Sequence, residues 1–447
     1  MDKKDSTRAT TRIAPASSLR AEITVPPDKS LSHRAALVSL LSEYPVTIRN
    51  YLSAEDTLAT LNAISTFGAR VQRKDNTVHI TGAGMKNTPE PSNVIDASNS
   101  GTLIRIILGI AAGLGRFSCF TGDGSLRGRP MGRVVGPLRE MGAEISGVSG
   151  GDLLPIAVLG NGGGLRGSEH VLPVASAQVK SCLLFAGLFA DGVVGLTEPG
   201  KSRDHTERLL EACGVGMEVE EMASGGRRVS VEPPGSLRVP GGIEVPGDFS
   251  SAAFWIAAAL VVPGGEVRVR RVGLNPTRTR FLDILRGMGA DLEIHDAGED
   301  AIGEPVGEVV ARHSPLKATT VGPEDVPGAV DELPLLALLG AFAEGETVVW
   351  GAGELRVKET DRIQAVCEEF RKVGVEIDER PDGFTVTGDP ERGIPGGRAS
   401  SRGDHRIGMG LAIVGLASKE GVEVEDLEAA SVSYPGFLRD LASISCR

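Results

Sequence analysis

Six times along this 447-residue chain a small polar or acidic residue opens a short helix built mostly of Ala, Gly, Leu, Ile and Val. The starts fall near Ser30, Ser100, Ser176, Asp248, Asp331 and Asp404. That spacing of about 70–80 residues is the mark of a repeated supersecondary unit. A capping residue satisfies N–H groups that a helix start otherwise leaves unpaired. Each such start is also a place where an anion can sit.

A second, more polar helix follows each apolar one, from Glu55, Arg129, Arg203, Asn275, Lys358 and Ser433. Five of these run into a glycine, at Gly68, Gly142, Gly214, Gly289 and Gly374, the residue that ends a helix in the left-handed region. A short Val- or Ile-containing strand comes next. The unit reads helix, strand, helix, strand, strand. The sixth copy stops after its second helix, whereas TTRIAP and SLRAEITVP ahead of the first copy alternate like strands. The N-terminal segment is therefore expected to complete the sixth unit. Residues 23–245 would form one lobe, and 1–22 with 246–447 the other. The chain would cross between them twice.

A chain of this length exceeds the usual single core, so two domains are the default. The 41% hydrophobic and 24% charged content is that of an ordinary soluble globular protein. No apolar run reaches the roughly 18–20 residues needed to span a bilayer. The polar start MDKKDSTRATTR lacks an apolar signal core, so cytoplasmic residence is expected. Five dispersed cysteines (Cys119, Cys182, Cys213, Cys367 and Cys446) show no metal-ligand or disulfide spacing, and no metal is expected. Cys182, Cys213 and Cys367 sit in apolar helical patterns and read as core.

A net charge of −12 disfavours nucleic acid and anionic membranes as partners. The cations nevertheless gather near the helix starts: Lys29, His33 and Arg34; Arg105, Arg127 and Arg129; Lys180, Lys201 and Arg203; Arg356, Lys358 and Arg362; His405 and Arg406. Small anionic ligands are the implied partners.

The individual stretches carry this further. In PPDKSLSHRA an ammonium (Lys29), a hydroxyl (Ser30) and a guanidinium (Arg34) can together hold a phosphate or carboxylate, with His33 read as structural. ASNSGTLIR brings Gly101 and Thr102 to a helix start, where glycine permits close approach. GDGSLRGRPMG is a glycine-rich loop carrying Arg129 ahead of Pro130. Ser176 and Gln178 offer neutral hydrogen bonds suited to a polyhydroxylated ligand, and Ser202 and Arg203 are plausible contacts. Asp331 opens a wholly apolar helix, as a cap or as a partly desolvated general base. ELRVKETDR packs Arg356, Lys358, Glu359, Asp361 and Arg362 into nine positions, with Lys358 and Arg362 expected on one helix face. His405 and Arg406 open the last apolar helix.

Taken together, DKSLSHRA, NSGT, the Arg-Pro after the glycine loop, SAQ, DELP, LRVKETDR and DHR resemble the 5-enolpyruvylshikimate-3-phosphate synthase family of enolpyruvyl transferases, from Pro27 to Leu441. The resemblance implies an α/β fold, a two-lobed inside-out α/β barrel of six βαβαββ repeats, three per lobe, closing on its substrates. It implies transfer of the enolpyruvyl group of phosphoenolpyruvate to the 5-hydroxyl of shikimate 3-phosphate. The step is addition–elimination through a tetrahedral intermediate, in the shikimate pathway to chorismate and the aromatic amino acids. No cofactor is required, and a monomer is expected.

By the same resemblance, Lys29, Ser30, Arg34, Ser176, Gln178, Ser202, Arg203, Asp331 and Lys358 face shikimate 3-phosphate. Lys29, Gly101, Thr102, Arg129, Gln178, Arg362 and Arg406 face phosphoenolpyruvate. Asp331, Lys358 and Glu359 are the catalytic set, with Glu359 favoured as the proton carrier at C3. Three positions depart from the commoner pattern: Ala177 for a second serine, Val432 for a lysine, and Ile106 for a proline after Arg105. The alternative is the sister enzyme acting on UDP-N-acetylglucosamine. It often carries a reactive cysteine in the glycine loop; the matching position here is Gly124, and the nearest thiol is Cys119.

Overall fold

The structure, a computed structural model, describes residues 9–160, 162–223 and 225–445; Cys446 lies outside them. The chain divides into two compact units. The N-terminal unit comprises Pro27–Pro246 with Gly298–Pro305, and the C-terminal unit comprises the chain up to Pro26, Gly247–Ala297 and the chain from Val306 onward.

Each unit holds three sheets, and their strand orders repeat. In the second repeat, Ile95–Asp96 runs parallel to Ser118–Thr121, which pairs antiparallel with Leu153–Val158, itself antiparallel to Ile145–Val148. A parallel pair needs a crossover, and the apolar Gly101–Leu114 helix supplies it. The third repeat builds the same arrangement from Ser168–Val171, Val194–Glu198, Met217–Glu221 and Arg227–Val231. The unit is thus βαβαββ, with a leading strand ahead of each apolar helix.

That leading strand corrects the expected path of the N-terminal segment. Thr10–Ile13 does join the sheet of the sixth repeat, antiparallel to Val422–Glu425. Arg20–Ile23 instead runs parallel to the Glu266–Gly273 strand and so opens the fourth repeat. Gly242–Glu244 plays the equivalent part in the first repeat, parallel to Pro45–Arg49. A second difference concerns residues 298–305, between the strands Asp291–Glu299 and Pro305–Arg312. They pack in the N-terminal unit, where Ile302 is buried in the core and Glu304 bonds His205. The chain therefore passes between the units four times.

The six apolar helices are the core of the repeats. All thirteen residues of Phe249–Val261 and all nine of Leu333–Ala341 are buried. A helix that is apolar all round can only be an interior element, and each buried Leu, Ile or Phe contributes about 1.5–3 kcal/mol. The sheets lie outside: the strand Asp291–Glu299 is largely exposed. Cys182, Cys213 and Cys367 are free and buried, as their patterns predict; burial pushes the latter two thiols up to about 12.

The five predicted stop glycines all adopt positive φ, from 78° at Gly214 to 103° at Gly142. Gly109 serves a different purpose. A Cβ there would stand 2.0 Å from the carbonyl oxygen of Cys182, so the Gly101–Leu114 and Ala177–Gly187 helices meet backbone to side-chain-free backbone. Gly109→Ala should therefore destabilise the protein by about 3 kcal/mol through overpacking, read as a lowered denaturant midpoint at unchanged m-value.

Candidate active site

The cap residues distribute unevenly. Asp28, Ser100, Asp248 and Asp404 each accept a backbone N–H at a helix start. The first cap is thus Asp28, not Ser30, which lies inside the helix. Ser176 makes no such bond. At the fifth helix the N-cap position falls on Glu332, not on Asp331, and again no side-chain bond forms. Those two helices begin without a side-chain cap.

In the N-terminal unit the sequence-predicted residues fall into two sets. Lys29 donates from Nζ to Asp56 Oδ2 at 3.1 Å. Arg34 is buried, with Nη1 donating to the Ser30 carbonyl (3.0 Å), Nη2 to Ser181 Oγ (2.8 Å) and Nε to Thr206 Oγ1 (2.7 Å). Burial lowers its pKa to about 10, which leaves it charged. Ser202 donates its Oγ–H to Glu198 Oε2 (2.6 Å) and its backbone N–H to Glu198 Oε1 (3.1 Å), and the half-buried Arg203 follows it.

The second group lies around the start of the Gly101–Leu114 helix. Gln178 Nε2 donates to Thr102 Oγ1 (3.1 Å), and its Oε1 accepts from Arg105 Nη1 (2.9 Å). Arg129 Nη2 donates to Asn99 Oδ1 (2.8 Å) and to Ser125 Oγ (3.2 Å). A Cβ on Gly101 would stand 2.8 Å from Arg105 Nη1 and 3.4 Å from Arg129 Nη1, so this glycine admits two guanidiniums at the helix start. Arg105, counted in the sequence only among the basic residues of this segment, belongs to the group; its bond to Gln178, 73 positions away, carries no local signal. Ser176 borders a cavity of about 240 Å³ that Arg133 and His170 also line.

In the C-terminal unit one guanidinium organises the site. Arg362 is buried, with Nε donating to Asp404 Oδ2 (2.8 Å) and Nη2 to Glu359 Oε2 (2.5 Å), and Nη1 lies 3.6 Å from Asp331 Oδ1. Burial opposes ionisation of Asp404, but Arg362 beside it prevails and holds its pKa below the usual range. Arg406 donates from Nη1 to the Asp331 carbonyl (2.9 Å) and to Ser250 Oγ (3.1 Å), and its Nη2 stands 3.5 Å from Asp331 Oδ1. Glu332 is fully taken inside: Arg278 Nη1 donates to its Oε2 (2.6 Å), Arg278 Nη2 to its Oε1 (2.9 Å), and Ser250 Oγ to Oε1 (2.6 Å). Asp331 is left as the carboxylate shared by two arginines.

The charged run ELRVKETDR does not lie on one helix. A 3-10 turn covers Gly353–Val357, Lys358 is extended (φ −82°, ψ −153°), and the α-helix Arg362–Lys372 starts only after Asp361 caps Gln364 N–H at 3.0 Å. The expectation that Lys358 and Arg362 share a helix face fails for that reason. Lys358 Nζ lies 3.6 Å from Glu354 Oε1, and Glu359 sits on the same connection. Arg356 is structural, donating to Asp361 and Glu379 at 2.8 Å each.

Two donors stand out among the described residues. The Nε atoms of Arg129 and Arg406 are both buried without a hydrogen-bond partner. An unmet buried donor costs about 1–3 kcal/mol, which an anionic ligand offsets. As to metals, Asp204, His205 and Glu304 bring ligand atoms within 4.8 Å of one another. His205 Nδ1 and Glu304 Oε1 stand 2.7 Å apart, however, which is the geometry of a hydrogen bond, and Arg208 Nε donates to Asp204 at 3.2 Å.

His33 is buried with Nδ1 2.6 Å from Thr60 Oγ1, as a structural residue should be. Burial drives its pKa to about 3, with Asp56 opposing and Lys29 and Arg34 reinforcing the shift. The unfolded chain then binds the proton first, so this contribution to stability is full above the free imidazole value and is lost as pH falls from 6.5 toward 3. Between pH 7.5 and 5.5 the group should remove about 1 kcal/mol of unfolding free energy. Denaturant titrations of His33→Gln should show a smaller fall over the same range.

Residues 13–441 match the family model described as EPSP synthase (3-phosphoshikimate 1-carboxyvinyltransferase). The 3-phosphoshikimate 1-carboxyvinyltransferase of Carboxydothermus hydrogenoformans is 46% identical over 427 residues, covering 96% of this chain and 97% of that protein. One from Thermus thermophilus is 49% identical over 431 residues, covering 96% and 97%. A solved EPSP synthase of Acinetobacter baumannii superposes with a TM-score of 0.86 at 37% identity, covering 98% of each chain.

Proposed function

The chain belongs to the EPSP synthase family, and we propose that it transfers the enolpyruvyl group of phosphoenolpyruvate to the 5-hydroxyl of shikimate 3-phosphate and releases inorganic phosphate. The observation that carries the site assignment is an unmet buried donor in each unit, on Arg129 in one and on Arg406 in the other. A phosphate or a carboxylate is the kind of group each such donor fits.

In this reading Lys29, Arg34 and Arg203 supply the positive field for the phosphate of shikimate 3-phosphate, with Ser30 and Ser202 in the segments that hold them. Ser176 and Gln178 hydrogen-bond the ring hydroxyls. Arg129, Arg362 and Arg406, with Lys29, hold the phosphate and carboxylate of phosphoenolpyruvate, and Gly101, Thr102 and Gln178 shape that pocket. The substrate hydroxyl attacks C2 of the enol while C3 takes a proton, which gives a tetrahedral intermediate. Loss of phosphate and of one C3 proton then yields the enol ether. Glu359 carries the C3 proton, Asp331 binds or deprotonates the hydroxyl, and Lys358 neutralises the developing charge beside it.

The geometry supports a division of labour between the two carboxylates. Both lie against Arg362, and Glu359 stands on a non-helical connection where a side chain can change partner.

The direct test is phosphate release from phosphoenolpyruvate with shikimate 3-phosphate, set against UDP-N-acetylglucosamine. Turnover with the first and none with the second is expected; the reverse would refute the substrate assignment. Lys358→Met and Glu359→Gln should each lower kcat by about 10²-fold or more while circular dichroism and the unfolding midpoint stay near those of the parent. Near-normal turnover in either variant would refute that residue's role.

A further inference from the structure

Beneath the Ser202–Arg203 turn of the N-terminal unit lies a charge cluster that the reaction does not use. Lys180, Glu198, Glu207 and Arg227 are all buried, and Lys180 is wholly inaccessible. They come from four elements: the Ala177–Gly187 helix, the end of the Val194–Glu198 strand, the His205–Ala212 helix and the start of the Arg227–Val231 strand. Lys180 Nζ stands 2.9 Å from Glu198 Oε1 and 2.7 Å from Glu207 Oε1, and Arg227 Nε donates to Glu198 Oε1 at 3.0 Å. Two cations face two anions, so the cluster carries no net charge.

Such a cluster is a poor way to gain stability. Replacing buried ion pairs by apolar side chains of similar volume is often neutral or favourable. What the cluster does is converge on one residue outside itself. Lys180 Nζ and Arg227 Nη2 both donate to the carbonyl of Ser202, at 3.2 and 2.7 Å. Glu198 accepts both the N–H and the hydroxyl of Ser202. Every hydrogen-bonding group of Ser202 is thereby engaged by a buried charge, within a connection that has no helix or strand of its own. The next residue is Arg203.

We propose that Lys180, Glu198, Glu207 and Arg227 are positioning residues, which fix the Ser202 turn so that the Arg203 guanidinium is presented in advance to the phosphate of shikimate 3-phosphate. The inference rests on the function proposed above. Fixing the turn beforehand removes the ordering cost from ligand binding. It also explains why Ser202, with both donors spent on Glu198, serves the site by shaping the turn and leaves the phosphate contact to its neighbour.

The test compares Lys180→Met/Glu198→Leu with the milder Lys180→Met/Glu198→Gln. Each removes one charge of each sign, and the glutamine keeps one acceptor for Ser202. The leucine variant should raise KM for shikimate 3-phosphate by about tenfold or more, with KM for phosphoenolpyruvate and the unfolding midpoint nearly unchanged. The glutamine variant should recover most of that loss. Equal KM for shikimate 3-phosphate in a folded leucine variant, or parallel rises in both Michaelis constants, would overturn the inference. Hydrogen exchange on the unmodified protein needs no variant: the Ser202 amide should be protected like the amides of the adjacent strands, and exchange at open-loop rates would overturn the inference too. Calorimetry with shikimate 3-phosphate alone separates the two claims. No binding by the unmodified protein would defeat the functional reading, whereas equal binding by parent and leucine variant would defeat only the positioning role.

Discussion

Everything in this protein follows from burying helices that are apolar on every side. A helix such as Leu333–Ala341 has no polar face to turn to solvent, so its whole length must be enclosed by sheet and by other helices. Its ends are then the places where that helix can carry polar chemistry. There the unpaired N–H groups of the first turn meet whatever side chains the preceding connection brings. Six repeats provide six such ends. Four are closed by capping carboxylates or a serine, and the two at Ser176 and Glu332 are left without a side-chain cap.

The charges near these ends obey a single economy of pairing. Buried guanidiniums are tolerated because each has carboxylates or hydroxyls in reach: Arg278 with Glu332, Arg362 with Asp404 and Glu359, Arg34 with Thr206 and Ser181. The exceptions are informative for the same reason. Arg129 and Arg406 each keep one buried N–H unmatched, although their remaining donors are well placed. Among the described residues the other buried arginines and lysines are matched, and an anionic group is what would complete each of these two donors.

Much of this was legible before any coordinates. The 70–80 residue period, the five stop glycines and the buried cysteines are local or periodic features, and local sterics and hydropathy decide them. The motifs DKSLSHRA, LRVKETDR and DHR identified the family because their residue types occur together in one order. Other assignments failed for physical reasons. Lys358 looked helical by spacing to Arg362, but Asp361 starts the helix three residues later by capping Gln364. Asp331 looked like a cap, yet Glu332 occupies that place and is itself withdrawn to Arg278. Arg105 and the Lys180 cluster went unassigned because their partners lie tens of residues away.

The amino-acid order alone therefore determined which stretches are buried helices, where they stop and which residue types crowd their starts. These depend on side-chain hydropathy, on the missing Cβ of glycine and on short-range hydrogen bonding. Only the tertiary structure decided that Arg20–Ile23 opens the fourth repeat and that residues 298–305 leave their own unit. It alone decided that Arg362 gathers Asp331, Glu359 and Asp404, and that three buried charges grip Ser202. Those outcomes are pairings between distant segments, set by which buried donor can reach which acceptor once the apolar helices have packed.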